Sequence, residues 1–379
     1  MKKLIFFTFL SFLGHIIVFA QQKLPVIRAT SRVADLREGN YLQKGAWYIE
    51  PAIKPDIVYV GLPRKAQRVT LITDIDSISF DVKYGQRYDF IVLLNSKDSC
   101  YSQIAGVLPN LKSYEGGTHT SDTIPFTLRR NRIYFEGKIN DSGPLSIQFD
   151  LGAGMSNINY KSVKKIQMDF DNKATLVNSD GQNEARLSNK NKVHLGPFTW
   201  QNDAFVETKN MENWEDAIVG NGLFLDKIIE IDYDKKLFVI HEKLPLTLTG
   251  YQKIPMILEG GIRPLIEASI EIEGKKYTDW FLFDTGFSGN GVISDEMTLK
   301  HNIYGKFRKL LGNKKAIGAF IPKILIGDYA IEKGIIGLER PHGNYKSVSL
   351  IGNKILKKFN VLMDNQQGFM YLKPNGLAK

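Results

Sequence analysis

The sequence predicts an all-β fold, mainly strands with a few short helices, in which two tandem barrel-like lobes follow a small β-sandwich-like domain. Short runs of β-branched and aromatic residues recur along the chain and are separated by Gly, Pro, Asp or Asn. One set of sequence markers also occurs twice, at matching intervals, between residues 122 and 376. A hydrophobic content of 43% is enough to fill ordinary cores in a chain of 379 residues.

The first twenty residues differ in composition from the rest of the chain. Lys2 and Lys3 precede an apolar run, and Val18-Phe19-Ala20 places compact residues before Gln21. This pattern is typical of a cleaved secretory signal over residues 1–20, with an uncleaved membrane anchor as the alternative. We therefore expect a periplasmic or secreted protein with no stable membrane insertion after cleavage.

Charge and residue usage exclude several classes of partner. The formal charge of +10 is spread over short basic pairs, without a long run or interleaved stacking aromatics, so a solvated surface is favoured over nucleic-acid binding. The single cysteine, Cys100, allows no internal disulfide. The six histidines show no metal-ligand spacing and no phosphate-binding glycine loop is present, so we expect neither a metal nor a cofactor.

Residues 21–118 form the predicted N-terminal β-rich domain. Its strands are expected in four runs of β-branched and aromatic residues, namely 57–60, 69–72, 78–82 and 88–94. The polar, glycine-bearing stretch 113–121 has the composition of a linker and marks the end of the domain. No catalytic constellation is visible here, and the role of this domain is not predicted.

The repeated markers are an aspartate, a glycine and a second aspartate. Asp150 lies 70 residues before Gly220, and Asp284 lies 68 residues before Gly352. In both copies 12 residues separate the glycine from another aspartate that ends an apolar strand, Asp232 or Asp364. Three markers in register predict an internal duplication.

This repeat predicts two lobes with the same order of secondary-structure elements, over residues 122–246 and 250–376. In each, an apolar strand ends at the aspartate turn, and a later strand ending in glycine leads into a short helix, expected at 223–228 and 354–359. A final strand closes each lobe, over 236–241 and 368–373. Barrel-like β lobes fit this order of elements.

The aspartate turns carry the functional signal. Asp284-Thr285-Gly286-Phe287-Ser288 with Leu350-Ile351-Gly352 resembles the signature of aspartic proteases. Asp150-Leu151-Gly152-Ala153 with Ile218-Val219-Gly220 is similar to a second copy. The chain thus resembles the bilobal pepsin-like family built from retropepsin-like halves, and in particular its exported bacterial members, from about residue 125 to 376.

The resemblance implies an exported aspartic endopeptidase in which Asp150 and Asp284 activate a water molecule between the lobes. Paired carboxylates can share one proton, so that one member acts as base while the other polarises the scissile carbonyl. The substrate would be a peptide or an unfolded protein, and the enzyme would work as a monomer. A hairpin over Asn178 to Lys192 is expected to cover the cleft.

Supporting roles follow from the same resemblance. Gly152 and Gly286 would let the turns tighten, and Thr285 would send its hydroxyl across to the opposite turn. Ser288 could bond the outer oxygen of Asp284, while Gly220 and Gly352 end the strands beneath the turns. Because Asp284 keeps these hydroxyl neighbours and Asp150 does not, Asp150 is expected to hold the shared proton.

Lobe one departs from the pattern at Leu151, where the family has Thr or Ser. This departure keeps open a second hypothesis, a catalytically inactive pepsin-like protein that binds peptide or glycan in its cleft. A serine hydrolase is not supported, because the glycine after Ser288 is one position too early for a nucleophile elbow. Each aspartate alone could also be an ordinary turn residue, and only the pairing in register favours catalysis.

Overall fold

The structure is a computed structural model that describes residues 24–39, 42–61, 66–109, 111–117, 119–178, 181–312, 316–341 and 348–378. Residues 1–20, the predicted signal, lie outside this set. The predicted fold class is confirmed, since β-strands dominate and only two short α-helices occur among the described residues.

The N-terminal domain is a sandwich of two four-stranded sheets, one ordered β1-β7-β8-β4 and the other β3-β2-β5-β6. Side chains alternate between buried and exposed along β1 and β2, as expected where one sheet face packs on a core. The buried residues of both sheets form one hydrophobic cluster that includes Phe90 and Cys100. The strands are β1 Val26–Ala29, β2 Val33–Glu38, β3 Leu42–Tyr48, β4 Asp56–Tyr59, β5 Gln67–Ile72, β6 Ser77–Val82, β7 Arg87–Leu94 and β8 Asp98–Ala105.

The start of the stretch 113–121, which is expected to be a linker, packs on lobe one. Its residues Tyr114–Glu115 form strand β9, which pairs with β17 (Phe198–Thr208). The Tyr114 ring lies 5.7 Å from Phe198 and 6.3 Å from Trp200, centroid to centroid. Glycine and serine content suggested flexibility, but the aromatic side chain gives this segment a docking contact.

Lobe one is a closed six-stranded barrel. The strand order is β12-β13-β18-β14-β17-β16, and β16 pairs back onto β12. Strand β11 extends the sheet beside β12, and β15 forms a long hairpin with β16. The further strands are β10 Ser121–Pro125, β11 Thr127–Arg129, β12 Arg132–Ile139, β13 Leu145–Phe149, β14 Ser156–Asn159, β15 Asn172–Asn178, β16 Gly181–Leu195, β18 Ala217–Val219, β19 Ile228–Asp232 and β20 Leu237–His241.

Lobe two repeats this arrangement. Its barrel has the order β22-β23-β28-β24-β27-β26, with β26 paired back onto β22, and β25 forms a hairpin with β26. The strands are β21 Gln252–Glu259, β22 Arg263–Ile272, β23 Lys275–Asp284, β24 Gly291–Ile293, β25 Arg308–Gly312, β26 Ala316–Ile326, β27 Tyr329–Glu339, β28 Ser349–Gly352, β29 Phe359–Asp364 and β30 Phe369–Pro374. Helices α1 Asp295–Lys300 and α2 Asn353–Leu356 belong to this lobe.

A six-stranded antiparallel sheet joins the two barrels, in the order β10-β20-β19-β29-β30-β21. The lobes meet within it where Ile229 of β19 pairs with Met363 of β29. Both residues are fully buried and belong to one hydrophobic cluster that also contains Phe149 and Phe283, the residues before the two aspartates. A single core therefore supports both aspartate turns.

Short helical turns follow both glycines, but earlier than predicted. After Gly220 the chain forms a 3-10 turn at Asn221–Leu223 rather than a helix over 223–228, and β19 already begins at Ile228. Helix α2 likewise ends at Leu356 instead of continuing to 359. The apolar residues assigned to the ends of these helices are needed as strand residues in the central sheet.

Candidate active site

Each aspartate turn lies over a glycine that ends the neighbouring parallel strand. Strand β13 runs parallel to β18, and the Asp150 backbone N–H donates to the Val219 carbonyl at 2.9 Å. A Cβ at Gly220 would lie 2.6 Å from the Ala153 carbonyl oxygen, so only glycine lets the turn approach this closely. Gly352 has the same place in lobe two, where a Cβ would lie 2.4 Å from the Gly289 carbonyl oxygen.

The structure brings Asp150 and Asp284 face to face across the lobe boundary, each against the glycine of the other turn. A Cβ at Gly286 would lie 2.2 Å from the Asp150 carboxyl carbon, and a Cβ at Gly152 would lie 2.8 Å from that of Asp284. Neither glycine has a positive φ angle. The sequence argument gave them a conformational role, but the structure gives them a spatial one, since a side chain there would occupy the place of the opposite carboxylate.

Backbone N–H groups orient the carboxylates. Asp150 Oδ1 accepts a hydrogen bond from the Gly152 N–H at 2.7 Å. Asp284 Oδ1 accepts from the N–H groups of Gly286 at 2.9 Å and Phe287 at 2.8 Å. These short turns fix both side chains from their own loops.

Ser288 does not have the position that the sequence predicts for it. Among the described residues, no hydrogen bond joins its hydroxyl to Asp284, and the second donor to Asp284 is the Phe287 N–H instead. The Ser288 backbone contributes in another way, because its carbonyl accepts from Asn131 Nδ2 of lobe one at 2.9 Å. Ser288 therefore ties its turn to the other lobe through its backbone.

Thr285 crosses between the turns through its hydroxyl group. Its Oγ1 accepts from the Leu151 N–H at 2.9 Å and donates to the Phe149 carbonyl at 3.1 Å, and the side chain is fully buried. Leu151 has no hydroxyl to return these bonds. Its side chain is also fully buried and packs into the main hydrophobic core.

Two buried asparagines that sequence reasoning missed hold the lobes together beside the turns. Asn221 donates from Nδ2 to the Ile262 carbonyl of lobe two at 2.9 Å, and Asn353 donates from Nδ2 to the Asn131 carbonyl of lobe one. Each follows the glycine of its strand, and each receives a bond at Oδ1, from Asn365 and Tyr233 respectively. Their identical place in the two sequence copies was the available signal.

Burial raises the pKa of both aspartates. The pKa of Asp284 rises to about 8, first because of burial and next because of the negative charge of Asp150. Burial also raises the pKa of Asp150, while the Gly152 N–H, the Asp284 carboxyl and the Arg132 charge oppose that rise. The sequence assigned the shared proton to Asp150. That assignment stays a prediction, because burial raises the pKa of both carboxyl groups.

The surroundings of the site add three observations. A hairpin does lie where the cleft cover was predicted, formed by β15 and β16, but its turn at residues 179 and 180 lies outside the described part of the chain. Within that described part, no group of three His, Cys, Asp or Glu side chains could hold a metal ion. None of its helices has the length and apolar character needed to cross a membrane.

Comparisons with known proteins were made at three levels. No protein-family model matches the chain, and no curated protein matches it in sequence. Among solved structures, it is similar to the crystal structure of an aspartic proteinase from Irpex lacteus, with a TM-score of 0.49 and 11% sequence identity. That match covers 68% of this chain and 98% of the other. At this identity the similarity concerns the course of the backbone and says nothing about activity.

Proposed function

We propose that this chain is an aspartic endopeptidase that hydrolyses peptide bonds with a water molecule activated by Asp150 and Asp284. The observation that carries the proposal is the face-to-face pair of carboxyl groups, each packed against the glycine of the opposite turn. Two carboxyl groups so close cannot both ionise at moderate pH. One of them therefore keeps a proton, so that the pair contains one acid and one base. We further infer that the two lobes arose by duplication.

The two carboxyl groups would divide the chemistry between them. With the proton on Asp284, the ionised Asp150 takes a proton from the attacking water while Asp284 donates a hydrogen bond to the scissile carbonyl. The water attacks the carbonyl carbon. The resulting tetrahedral intermediate collapses with breakage of the C–N bond when Asp150 gives the proton that it took from the water to the leaving amine, which regenerates the ionised Asp150. Only the singly protonated pair can start this cycle, so activity should have a bell-shaped dependence on pH.

A second candidate function, a cleft that binds peptide or glycan without cleaving it, is favoured by one observation. Leu151 is fully buried and cannot return the hydroxyl bonds that Thr285 makes across the turns. A displacement of about 1 Å at a catalytic group can lower a rate on the order of a hundredfold. The alternative therefore depends on whether the remaining bonds hold Asp150 in place.

Cleavage of unfolded casein between acid and neutral pH separates the two candidates. Chain lacking residues 1–20 is incubated with casein, beside Asp150→Asn and Asp284→Asn variants and with a transition-state-analogue inhibitor of aspartic proteases. Asp98→Asn, an exposed position at the start of β8, serves as the control and should cleave like the parent. Cleavage that both dyad variants and the inhibitor abolish supports the peptidase. Cleavage that survives in either dyad variant removes the mechanism, and binding without cleavage at any pH favours the inactive protein.

Export is part of the proposal and is supported by the composition of residues 1–20. The expected substrate, a peptide or an unfolded protein, and the expected monomeric state are likewise proposals. Cell fractionation with an antibody against the chain, together with N-terminal sequencing, tests whether the protein leaves the cytoplasm and whether it begins at Gln21.

A further inference from the structure

The two aspartates lie on sheet faces of opposite character. Two residues before Asp150, Gln148 pairs with Tyr134 across β13 and β12, and both are buried polar side chains. Two residues before Asp284, Leu282 pairs with Leu265 across β23 and β22. Because alternate residues of a strand share a face, each pair flanks its aspartate on the same side of the sheet.

The polar face of lobe one continues into a buried ion pair. Arg132 is the first residue of β12. Because its neighbour Ile133 pairs with Phe149 of β13, Arg132 lies opposite Asp150. Arg132 Nη1 lies 3.1 Å from Glu215 Oε1, which also accepts a hydrogen bond from the Tyr134 hydroxyl. Glu215 is only 2% exposed. Arg132 Nε is buried and has no hydrogen-bond partner among the described residues.

The corresponding face of lobe two is apolar beside its aspartate. Leu265 and Leu282 belong to a separate hydrophobic cluster with Ile257, packed against by Trp280, Val348 and Leu350. If the register of Leu265 with Leu282 is continued by two residues, Arg263 lies opposite Asp284. The Arg263 guanidinium forms an ion pair with Glu259 on its own hairpin. An arginine thus lies opposite each aspartate, but the neighbouring pair on the same face is apolar beside Asp284 and polar beside Asp150.

We propose that Arg132 is a positioning residue that makes Asp150 the ionised base and leaves the shared proton on Asp284. The proposal rests on the proposed function for its catalytic meaning, but its electrostatic content is independent of activity. Charged and titratable groups face the pair from each side. Asp150 faces Asp284 and Arg132, and Arg132 in turn faces Glu215 and Tyr134. On the other side, Arg263 lies opposite Asp284 and is paired with Glu259. An apolar flank disfavours a carboxylate, and a nearby cation favours one, so both faces act in the same direction.

The proposal is tested by an NMR titration that measures the pKa values of Asp150 and Asp284 in the protein labelled with carbon-13 at the aspartate carboxyl groups. The variants Asp150→Asn and Asp284→Asn assign the two signals. In Arg132→Gln the pKa of Asp150 should rise by about 1 unit, the low end of the effect of a cation beside a carboxylate, because Glu215 offsets part of the charge. Arg132→Lys keeps the charge and should restore most of the difference. Arg263→Gln, the matched control in lobe two, should cause less than a third of the shift.

Glu215→Gln supplies a test of opposite sign. It keeps the size and an acceptor for Tyr134 but removes the charge that offsets Arg132, so the pKa of Asp150 should fall. If the chain cleaves peptides, the acid limb of the activity profile should move with these pKa values. Equal shifts in Arg132→Gln and Arg263→Gln, or no shift in Arg132→Gln, would overturn the proposal. Titrations that behave as expected in a chain without peptidase activity would instead remove the proposed function and leave this inference standing.

Discussion

Replacing Gly286 by alanine should place a methyl group against the carboxylate of the other lobe. The new Cβ would lie 2.2 Å from the Asp150 carboxyl carbon, whereas ordinary van der Waals contact begins at 3.4 Å. Asp150 must therefore retreat by about 1.2 Å, and a displacement of about 1 Å at a catalytic group lowers turnover on the order of a hundredfold. At Gly152 the Cβ would lie 2.8 Å from the Asp284 carboxyl carbon, so alanine there demands a smaller movement.

Gly154 provides the matched control, since it lies in the same turn as Gly152 and a Cβ there meets nothing within 4 Å. We expect kcat for a peptide substrate to fall most in Gly286→Ala, less in Gly152→Ala and hardly at all in Gly154→Ala. Circular dichroism and thermal melting would verify that each variant folds. If Gly286→Ala kept more than about a tenth of the parent activity, or if Gly154→Ala were equally damaging, the face-to-face arrangement would be wrong.

Three further changes test the turns. Thr285→Val removes the hydroxyl that bridges the Leu151 N–H and the Phe149 carbonyl. Because these buried groups lose their partner, the free energy of unfolding measured by urea titration should fall by about 1–3 kcal/mol. An unchanged urea midpoint would exclude the bridge. Leu151→Thr should raise kcat by supplying the missing hydroxyl. It should also lower the free energy of unfolding by about 1–2 kcal/mol, because a fully buried side chain becomes smaller. A fall in kcat would contradict the role given to the hydroxyl. Asp284→Asn should abolish cleavage and raise Tm relative to the parent increasingly between pH 4 and 8. The folded parent keeps a proton that its unfolded chain, with a pKa of 3.8, releases, so its stability is lost as pH rises toward the folded pKa of about 8. Parallel Tm curves for the two proteins would refute that linkage.

The sequence predicted the strands and the aspartate turns because their signals are local. An apolar run that ends in Asp150 or Asp284 specifies a strand and its turn without reference to the rest of the chain. The proton assignment from the sequence considered only residues next to each aspartate, and it stays a prediction. Our proposal of the opposite assignment depends on Arg132 and Leu265, which lie on the adjacent strands. Only the register of β12 with β13 and of β22 with β23 brings them to the aspartates.

The lobe contacts explain how the site could tolerate Leu151. A hydroxyl at residue 151 would add hydrogen bonds from the turn of lobe one to that of lobe two. The Thr285 hydroxyl already joins the turn of lobe two to the backbone of Leu151 and Phe149. Asn221 and Asn353 add bonds in both directions between the lobes, and both are fully buried, where a hydrogen bond is shielded from water. Losing one neutral bond costs about 0.5–1.5 kcal/mol, a small part of what this set supplies together. Asp150 is thus oriented by its own turn through the Gly152 N–H, while the bonds from the opposite lobe hold that turn in place without a hydroxyl at residue 151.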